Sequence, residues 1–423
     1  MSLFDDLSWR GLIAHSTDPE ALKEDLDHGQ VTFYVGFDPT APSLHMGNLL
    51  QLIFARRLQV AGHRPILLVG GSTGLIGDPR QSSERNLNPQ ELVHSWVERI
   101  RSQVAKYVSF EGDNAAILAN NYDWTVGLST LDFLRNIGKH FSVNRMLDRE
   151  VVRTRLETGI SYTEFSYVLL QSLDYLELHR LHGATLQTGG SDQWGNLTAG
   201  VELIRRVTGD KAHALATPLI TKADGTKYGK TESGTVWLDP NMTSPYAFHQ
   251  FFLNAEDSMV VSYLKAFTTR SHEEIEALER EANERPQDRV AQRALADDLT
   301  DLVHGESERK DATNAARAVF GQADLRGLNA ATLQAVSDGL PRANWESIEG
   351  HTIIDALADT GIVSSRGAAR RAIAEGGAYL NNERITDPDF VLSLGDALAG
   401  GVFLVRRGKK TVGVVRLGVP NEE

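Results

Sequence analysis

Tyr34-Val-Gly36-Phe-Asp38-Pro-Thr40-Ala-Pro-Ser-Leu-His45-Met-Gly47-Asn48 is the stretch on which the fold turns. It closes an apolar run that starts at Val31, passes through a proline-punctuated loop, and ends on a polar His-x-Gly-Asn at the mouth of a second apolar run, Leu49 to Phe54. The first run, Val31 to Phe37, predicts a strand. Ser43 is the expected cap of a helix from about Leu44 to Ala61, with Gly62 as its stop and Pro65 beyond. Leu49, Leu50, Leu52, Ile53 and Phe54 leave that helix few polar faces, so it should be packed on both sides. Strand, tight loop, buried helix and strand make the outline of a mononucleotide-binding unit. Gly36 lets a ligand approach the backbone, and the unpaired N–H groups of a first helical turn favour phosphate.

Working outward, short apolar runs alternate with longer amphipathic stretches as far as about Thr243, and further strands are expected at Pro65 to Gly70 and Ala184 to Thr188. Such alternation is how a parallel sheet with crossover helices reads, so the expected class is α/β with a Rossmann-like doubly wound parallel sheet over residues 1–243. Strand signals then vanish, and charged helical patterns predict an all-helical domain at 244–321. Residues 322–350, with Gly327, Gly339, Pro341 and Gly350, read as a linker. A small α+β unit is expected at 351–423: a helix from Ile353, a second from Ser365 to Glu375, strands near Tyr379 and Ile385, and a hairpin from Gly401 to Leu417 turning at Gly408.

At 423 residues the chain has room for two or three domains. It carries 43 basic and 56 acidic residues, a net charge of -13, an average that points away from nucleic acid. The average hides a division, because nine of the basic and nine of the acidic residues lie beyond residue 350, leaving that part neutral. Between residues 361 and 416 nine basic residues stand against five acidic ones. Cysteine is absent, which removes disulfides, thiolate metal sites and a sulfur nucleophile. Asp5 and Asp6 interrupt the start of the chain where a secretory signal would be basic and then apolar, and no run approaches the roughly 18 apolar residues of a membrane span. A cytoplasmic protein with no membrane association is expected.

Three constellations carry chemistry. The first is His45-x-Gly47-Asn48, an imidazole and an amide on a helix's first turn. The second is Lys227-Tyr-Gly-Lys230-Thr231-Glu-Ser-Gly234, a glycine-spaced loop whose two ammonium groups and hydroxyl suit a polyphosphate. The third is Tyr167, Gln171 and Asp174, which at i, i+4 and i+7 share one helix face among Phe165, Val168, Leu169, Leu170 and Leu173. A polar stripe in an apolar helix is either a core network or a small-molecule pocket.

The first two constellations match the HIGH and KMSKS signatures of class I aminoacyl-tRNA synthetases. Further stretches, Leu67 to Pro79, Asn120-Asn121-Tyr-Asp-Trp124, Gly138 to Asn144, Gly159 to Asp174 and Gly189-Gly-Ser-Asp192-Gln193-Trp-Gly-Asn196, resemble the bacterial tyrosyl-tRNA synthetase family through nearly the whole chain. The resemblance implies activation of L-tyrosine by ATP, with magnesium as companion of the nucleotide and no resident metal, then transfer to tRNA(Tyr) by a homodimer. It implies that Tyr34 and Asp174 bind the substrate phenol, that Asp78, Tyr167 and Gln171 take its ammonium group, and that Asn121 and Gln193 support them. Thr40, His45 and Asn48 would meet the triphosphate or ribose from one side, and Lys227, Lys230 and Thr231 would hold the leaving pyrophosphate from the other. Gly36, Asp38, Gly47, Gly190 and Asp192 belong to the implied nucleotide site. An indole, as in the related tryptophanyl enzymes, would not need the acceptor that Asp174 supplies.

Asn48 departs from the second histidine of the HIGH pattern, and in the loop from Asp78 to Asn86 the cations are Arg80 and Arg85 where many relatives have lysine, with Arg85 the residue that matches. The tail from Gly361 to Ile385 resembles a small RNA-binding module shared with a ribosomal small-subunit protein, the S-four-like domain. It implies Arg366, Arg370, Arg371, Lys409 and Lys410 as RNA contacts. Asn382 stands where relatives often have glycine, a substitution that asparagine's tolerance of the left-handed conformation permits.

Overall fold

Six strands form the sheet to which the opening stretch belongs: β1 (His15–Ser16), β2 (Thr32–Phe37), β3 (Arg64–Val69), β4 (Ile117–Asn120), β5 (Leu186–Gly190) and β6 (His213–Thr217). The structure is a computed structural model, and it describes residues 2–80, 87–231, 234–408 and 411–418, with backbone only at 230 and 231. The spatial order is β1-β6-β5-β2-β3-β4, all parallel except β1 against β6. Ile66, Leu67, Leu68 and Val69 are all buried, as strands covered on both faces require. Chain order runs outward from β2 through β3 and β4 on one side and from β5 to β6 on the other. The crevice beyond the carboxyl ends of β2 and β5 is therefore the switch point at which a doubly wound sheet takes its ligand.

The helix after β2 spans Met46–Val60, and ten of its fifteen residues are buried, so it is packed nearly all round. Its start corrects the expected cap. The Ser43 hydroxyl donates to its neighbour's carbonyl at Leu44, and the Leu44 N–H is taken by the Gln103 amide. With those groups engaged outside the helix, His45 becomes the N-cap two residues later than expected.

By its internal contacts the chain divides into two compact units, Met1–Asp239 with Glu256–Arg280, and Pro240–Ala255 with Glu281–Glu423. This differs from the expected breaks at 243, 321 and 350. Helices do replace strands where the charged patterns begin, at Pro245–Leu253, Val260–Phe267, His272–Glu284, Val290–His304 and Glu306–Val319. The expected linker is corrected outright. Residues 322–350 contain a helix, Ala330–Asp338, and the strand β9 (Arg342–Trp345). After β9 come β10 (Ala378–Leu380), β11 (Glu383–Arg384), β12 (Val402–Arg407) and β13 (Thr411–Leu417), in a sheet of order β11-β10-β12-β13-β9 with β9 parallel to β13. Leu333 and Val336 belong to one buried cluster with Ala315 and Val319 and with Leu404 and Val414. The segment's own periodicity is weak because its apolar residues are few and each is supplied with neighbours from distant parts of the sequence.

The second unit's helix Arg366–Ala374 is capped by Ser365, and Asn381 and Asn382 both take positive φ, 49° and 70°, in the β10–β11 turn. Asparagine reaches that region at low cost, which accounts for its place there.

Candidate active site

The expected helical face is built on Tyr162–His182, a 21-residue helix begun by Ser161 as N-cap. Tyr167 and Asp174 are buried on it, and Gln171 has its amide Oε1 buried with no hydrogen-bond partner among the described residues. Across from the helix, β2 brings in Tyr34, 1% exposed, whose hydroxyl is likewise without a partner among them. Buried polar atoms are paired in the great majority of cases, so these two, one on β2 and one on the helix that also carries Asp174, are candidate partners for a ligand.

Asp174 is held instead. Asn121 Nδ2 donates to one oxygen at 2.9 Å and Trp124 Nε1 to the other at 3.0 Å. Asn121 also donates to Thr73 Oγ1 at 2.9 Å, and its own oxygen accepts from the Ser72 N–H. Thr73 in turn donates to Asp38 at 2.6 Å, and the Tyr167 hydroxyl donates to the other Asp38 oxygen at 2.7 Å. A continuous chain thus runs from Asp174 to Tyr167, with Asp38 as its second carboxylate. Gly70 and Gly71 leave the room: a Cβ on either would collide with Asp38 and Thr73 or with Asn120.

A separate cluster positions Asp78. Gln193 donates to it at 2.9 Å and Asn196 at 3.2 Å, while Asn196 also donates to Gln193 Oε1 and accepts from Arg149. Sequence pattern singled out neither Arg149 nor Asn196 for a role, and it missed Thr73 and Trp124 too. A signal was present for Trp124, which lies three residues after Asn121 on one turn of the short helix Tyr122–Thr125 and so faces the same way.

Burial sets the electrostatics. It pushes the Asp174 carboxyl up to about 8, against the two N–H donors, which favour the anion. Burial likewise raises the phenols of Tyr34 and Tyr167 well above their ordinary range, with help from Asp174 in the first case and from Asp38 and Asp78 in the second. Both phenols therefore remain neutral O–H donors. Burial lowers the Arg149 guanidinium, and Asp78 works against that shift.

At the Met46 helix, the His45 imidazole accepts from the Gly47 N–H through Nδ1 at 3.0 Å, and the Asn48 amide oxygen accepts from the His45 N–H at 3.1 Å. The cap uses one acceptor on each side chain. A neutral ring that accepts at Nδ1 carries its proton on Nε2, and an amide that accepts through oxygen turns its NH2 outward. Capping therefore selects the donor form of both groups, the form that phosphate oxygens need. Thr40 and Gly36 are exposed beside them, and a Cβ on Gly36 would meet nothing within 4 Å. The space beside Gly47 and Gly190 is instead filled by their own neighbours, the His45 ring and the Asp192 carboxylate.

The Lys227 loop reaches the same crevice: Lys227 Nζ lies 3.8 Å from Asp192, beyond the end of β5. Lys230–Thr231 forms β7, paired with Gly234–Thr235 as β8. Arg85 lies outside the described residues, and the exposed Arg80 offers its carbonyl to the buried Arg155. In the second unit Arg366, Arg370 and Arg371 are exposed, Arg366 pairing with Asp355 at 2.9 Å, and Lys409 and Lys410 lie outside the described residues. Two of the basic residues counted in the tail are structural: Arg406 is buried over the Tyr379 ring, and Arg416 is buried against Asp338 and the Gln334 carbonyl.

Residues 26–321 match the family described as tRNA synthetases class I (W and Y), and residues 332–415 match the tyrosine--tRNA ligase SYY-like C-terminal domain. The fold and crevice are thus those of a class I aminoacyl-tRNA synthetase. The chain is 62% identical to the tyrosine--tRNA ligase of Cutibacterium acnes, over 98% of this chain and 99% of that one, and 57% identical to that of Kineococcus radiotolerans, over 99% of each. A C-terminally truncated mitochondrial tyrosyl-tRNA synthetase from Aspergillus nidulans superposes with a TM-score of 0.68 at 30% identity, covering 75% of this chain and 94% of that one. Within its class, the chain belongs to the tyrosine--tRNA ligase family.

Proposed function

We propose that the chain ligates L-tyrosine to tRNA(Tyr) in two steps, with the buried Tyr34 hydroxyl, which has no partner among the described residues, beside a doubly braced Asp174 as the observation that carries the reading. The substrate phenol fits between these two groups. Its ammonium group goes to Asp78, Tyr167 and Gln171, the last of which brings an amide oxygen with no partner among the described residues. Phenylalanine would offer the buried Tyr34 hydroxyl nothing to bond and would add nothing to the Asn121 and Trp124 donors at Asp174, and the cost of leaving that hydroxyl desolvated is the basis of rejection.

In the first step the tyrosine carboxylate attacks the α-phosphorus of ATP. A C–O–P bond forms, the bond to the β-phosphate oxygen breaks, and pyrophosphate leaves with its magnesium. No proton moves, so the protein's tasks are alignment and neutralisation of charge. Thr40, His45 and Asn48 donate to the nucleotide from the Met46 helix, Gly36, Asp38, Gly47, Gly190 and Asp192 shape its seat, and Lys227, Lys230 and Thr231 follow the departing pyrophosphate with Arg85. Magnesium arrives as part of the MgATP substrate. In the second step a hydroxyl of the terminal ribose of the tRNA attacks the tyrosyl carbonyl carbon, an ester forms as the bond from that carbon to the phosphate oxygen breaks, AMP leaves, and the hydroxyl proton passes to the departing phosphate or to water.

Arg366, Arg370, Arg371, Lys409 and Lys410 serve the RNA, the helices after residue 244 meet the anticodon stem, and the enzyme works in the cytoplasm. Val126, Leu131, Leu134, Val143 and Leu156 are exposed large apolar residues within one stretch of the chain, the kind of surface that a homodimer would cover. Labelled pyrophosphate should exchange into ATP when tyrosine is added and not when tryptophan is; exchange with tryptophan, or with neither, defeats the proposal.

A further inference from the structure

Between the two lysines of the Lys227 loop, and outside every role assigned above, sits Tyr228. Its ring stacks on Tyr263, with centroids 4.1 Å apart and planes 27° from parallel. Tyr263 is 2% exposed on the helix Val260–Phe267, and its hydroxyl donates to the Thr221 carbonyl at 2.8 Å. Thr221 is no bystander. Residues 220–228 fold back on themselves: Tyr228 N–H donates to the Ile220 carbonyl, Lys222 N–H to that of Thr226, and Thr221 forms an antiparallel bridge with Lys227. One tyrosine therefore grips both arms of this turn, one by its ring and the other by its hydroxyl.

The next residue ties the turn to the nucleotide side of the crevice. Gly229 has φ of +91°, and a Cβ there would lie 2.5 Å from Met46 Cβ, so its backbone rests directly on the first residue of the Met46 helix. Its carbonyl accepts from Val236 N–H, and the Val236 carbonyl accepts from Met46 N–H. Tyr228 is thus fixed at its ring while the backbone just after it is pinned to the helix that bears His45 and Asn48. Lys227 and Lys230 stand at the two ends of this clamped piece of backbone.

We propose that Tyr228 and Tyr263 are positioning residues for adenylate formation: their stack sets where Lys227 and Lys230 leave the backbone, and so how those ammonium groups meet the β- and γ-phosphates of ATP. The inference rests on the proposed role of the two lysines. It differs from a packing role in what it demands, namely that loss of the stack be felt by phosphate chemistry and not by tyrosine binding. A displacement of about 1 Å in such groups can cost on the order of a hundredfold in rate.

The test uses the full-length protein and measures tyrosine-dependent pyrophosphate exchange, tyrosine affinity by equilibrium dialysis, and thermal stability. Tyr228→Ala should lower kcat by about tenfold to a hundredfold, with tyrosine affinity unchanged within about twofold, and Tyr228→Phe should restore the rate because it restores the ring. Tyr263→Phe, which keeps the stack and drops the bond to Thr221, should lower kcat by a smaller factor, about two- to tenfold. Lys230→Ala should be slow, and adding Tyr228→Ala to it should slow it little further, since the two changes remove one interaction. A wild-type kcat in Tyr228→Ala, an equal loss of tyrosine affinity, or full additivity with Lys230→Ala overturns the proposal. If Lys230→Ala alone exchanges at the wild-type rate, it is the role of the lysine that fails, and the brace has nothing to position.

Discussion

The crevice at β2 and β5 and the helix Arg366–Ala374 both gather charged groups, yet they treat them in opposite ways. In the crevice Asp174 is 3% exposed, and every donor that meets it comes from a side chain anchored elsewhere in the sequence. On the tail helix the arginines stand in water and touch little beyond Asp355. Burial gives the first set shifted protonation and strict geometry, at a desolvation cost that the network offsets. Exposure leaves the second set screened by salt and tolerant of movement. A site that must distinguish one hydroxyl needs the former, and a surface that follows a phosphate backbone is served by the latter.

That contrast breaks most visibly at the buried ion pair. Arg155 and Glu164 lie 3.2 Å apart with side chains 4% and 2% exposed, and Arg155 also donates to the carbonyls of Gly159 and Arg80. Glu164→Ala removes one partner of a buried ion pair and should cost about 3–5 kcal/mol of stability, read from the midpoint of urea unfolding. A loss under about 1 kcal/mol would mean the pair behaves like a surface one.

Next in size is Asp174→Ala, which strands the Asn121 and Trp124 donors and removes the phenol's acceptor. Tyrosine affinity should fall at least tenfold, at about 1–3 kcal/mol per buried group left unpaired, while the protein still folds. Equilibrium dialysis showing wild-type affinity would remove Asp174 from the pocket.

The same carboxyl sharpens the comparison through pH. With its folded value near 8 and an unfolded one near 3.8, the native state keeps a proton that the unfolded chain has released between those limits. Stability without ligand should therefore decline as pH rises from about 4 to 8, and Asp174→Asn should show a shallower decline. Parallel slopes in thermal unfolding would contradict a neutral Asp174. No comparable dependence is expected from Arg370→Ala. There the smallest effect should appear, a uniform weakening of tRNA binding whose salt slope drops by about one unit because one phosphate is no longer neutralised, with pyrophosphate exchange unaltered. Such point changes suit the second unit better than removal of residues 351–423, which would strip Leu404 and Val414 from the core they share with Ala315 and Leu333.

Much of the fold was legible because parallel strands are apolar throughout and their crossover helices are periodic. Val31 to Phe37 and the buried Met46 helix could be read without any knowledge of their partners. Ser43 was misread because capping depends on who else wants the hydroxyl, and Gln103 lies sixty residues away. Residues 322–350 looked like a linker for a related reason: sparse apolar residues are not weak packing when a distant sheet supplies their neighbours. In the crevice, the face shared by Tyr167, Gln171 and Asp174 follows from helical spacing alone. The choice between core network and pocket did not, since it rests on which buried atoms go unpaired, and the Tyr34 hydroxyl and Gln171 Oε1 are two that do so among the described residues.

By itself the sequence determined the periodicities, the residue types at each turn and cap, and the absence of sulfur nucleophiles, because these are local or compositional. Tertiary structure decided which acceptors capping would consume at His45 and Asn48, that Asp38 and Asp174 would belong to one hydrogen-bonded chain, and that Tyr263 would brace the Lys227 loop. Those outcomes depend on distances between residues far apart in the chain, and burial then changes the chemistry of the groups it brings together.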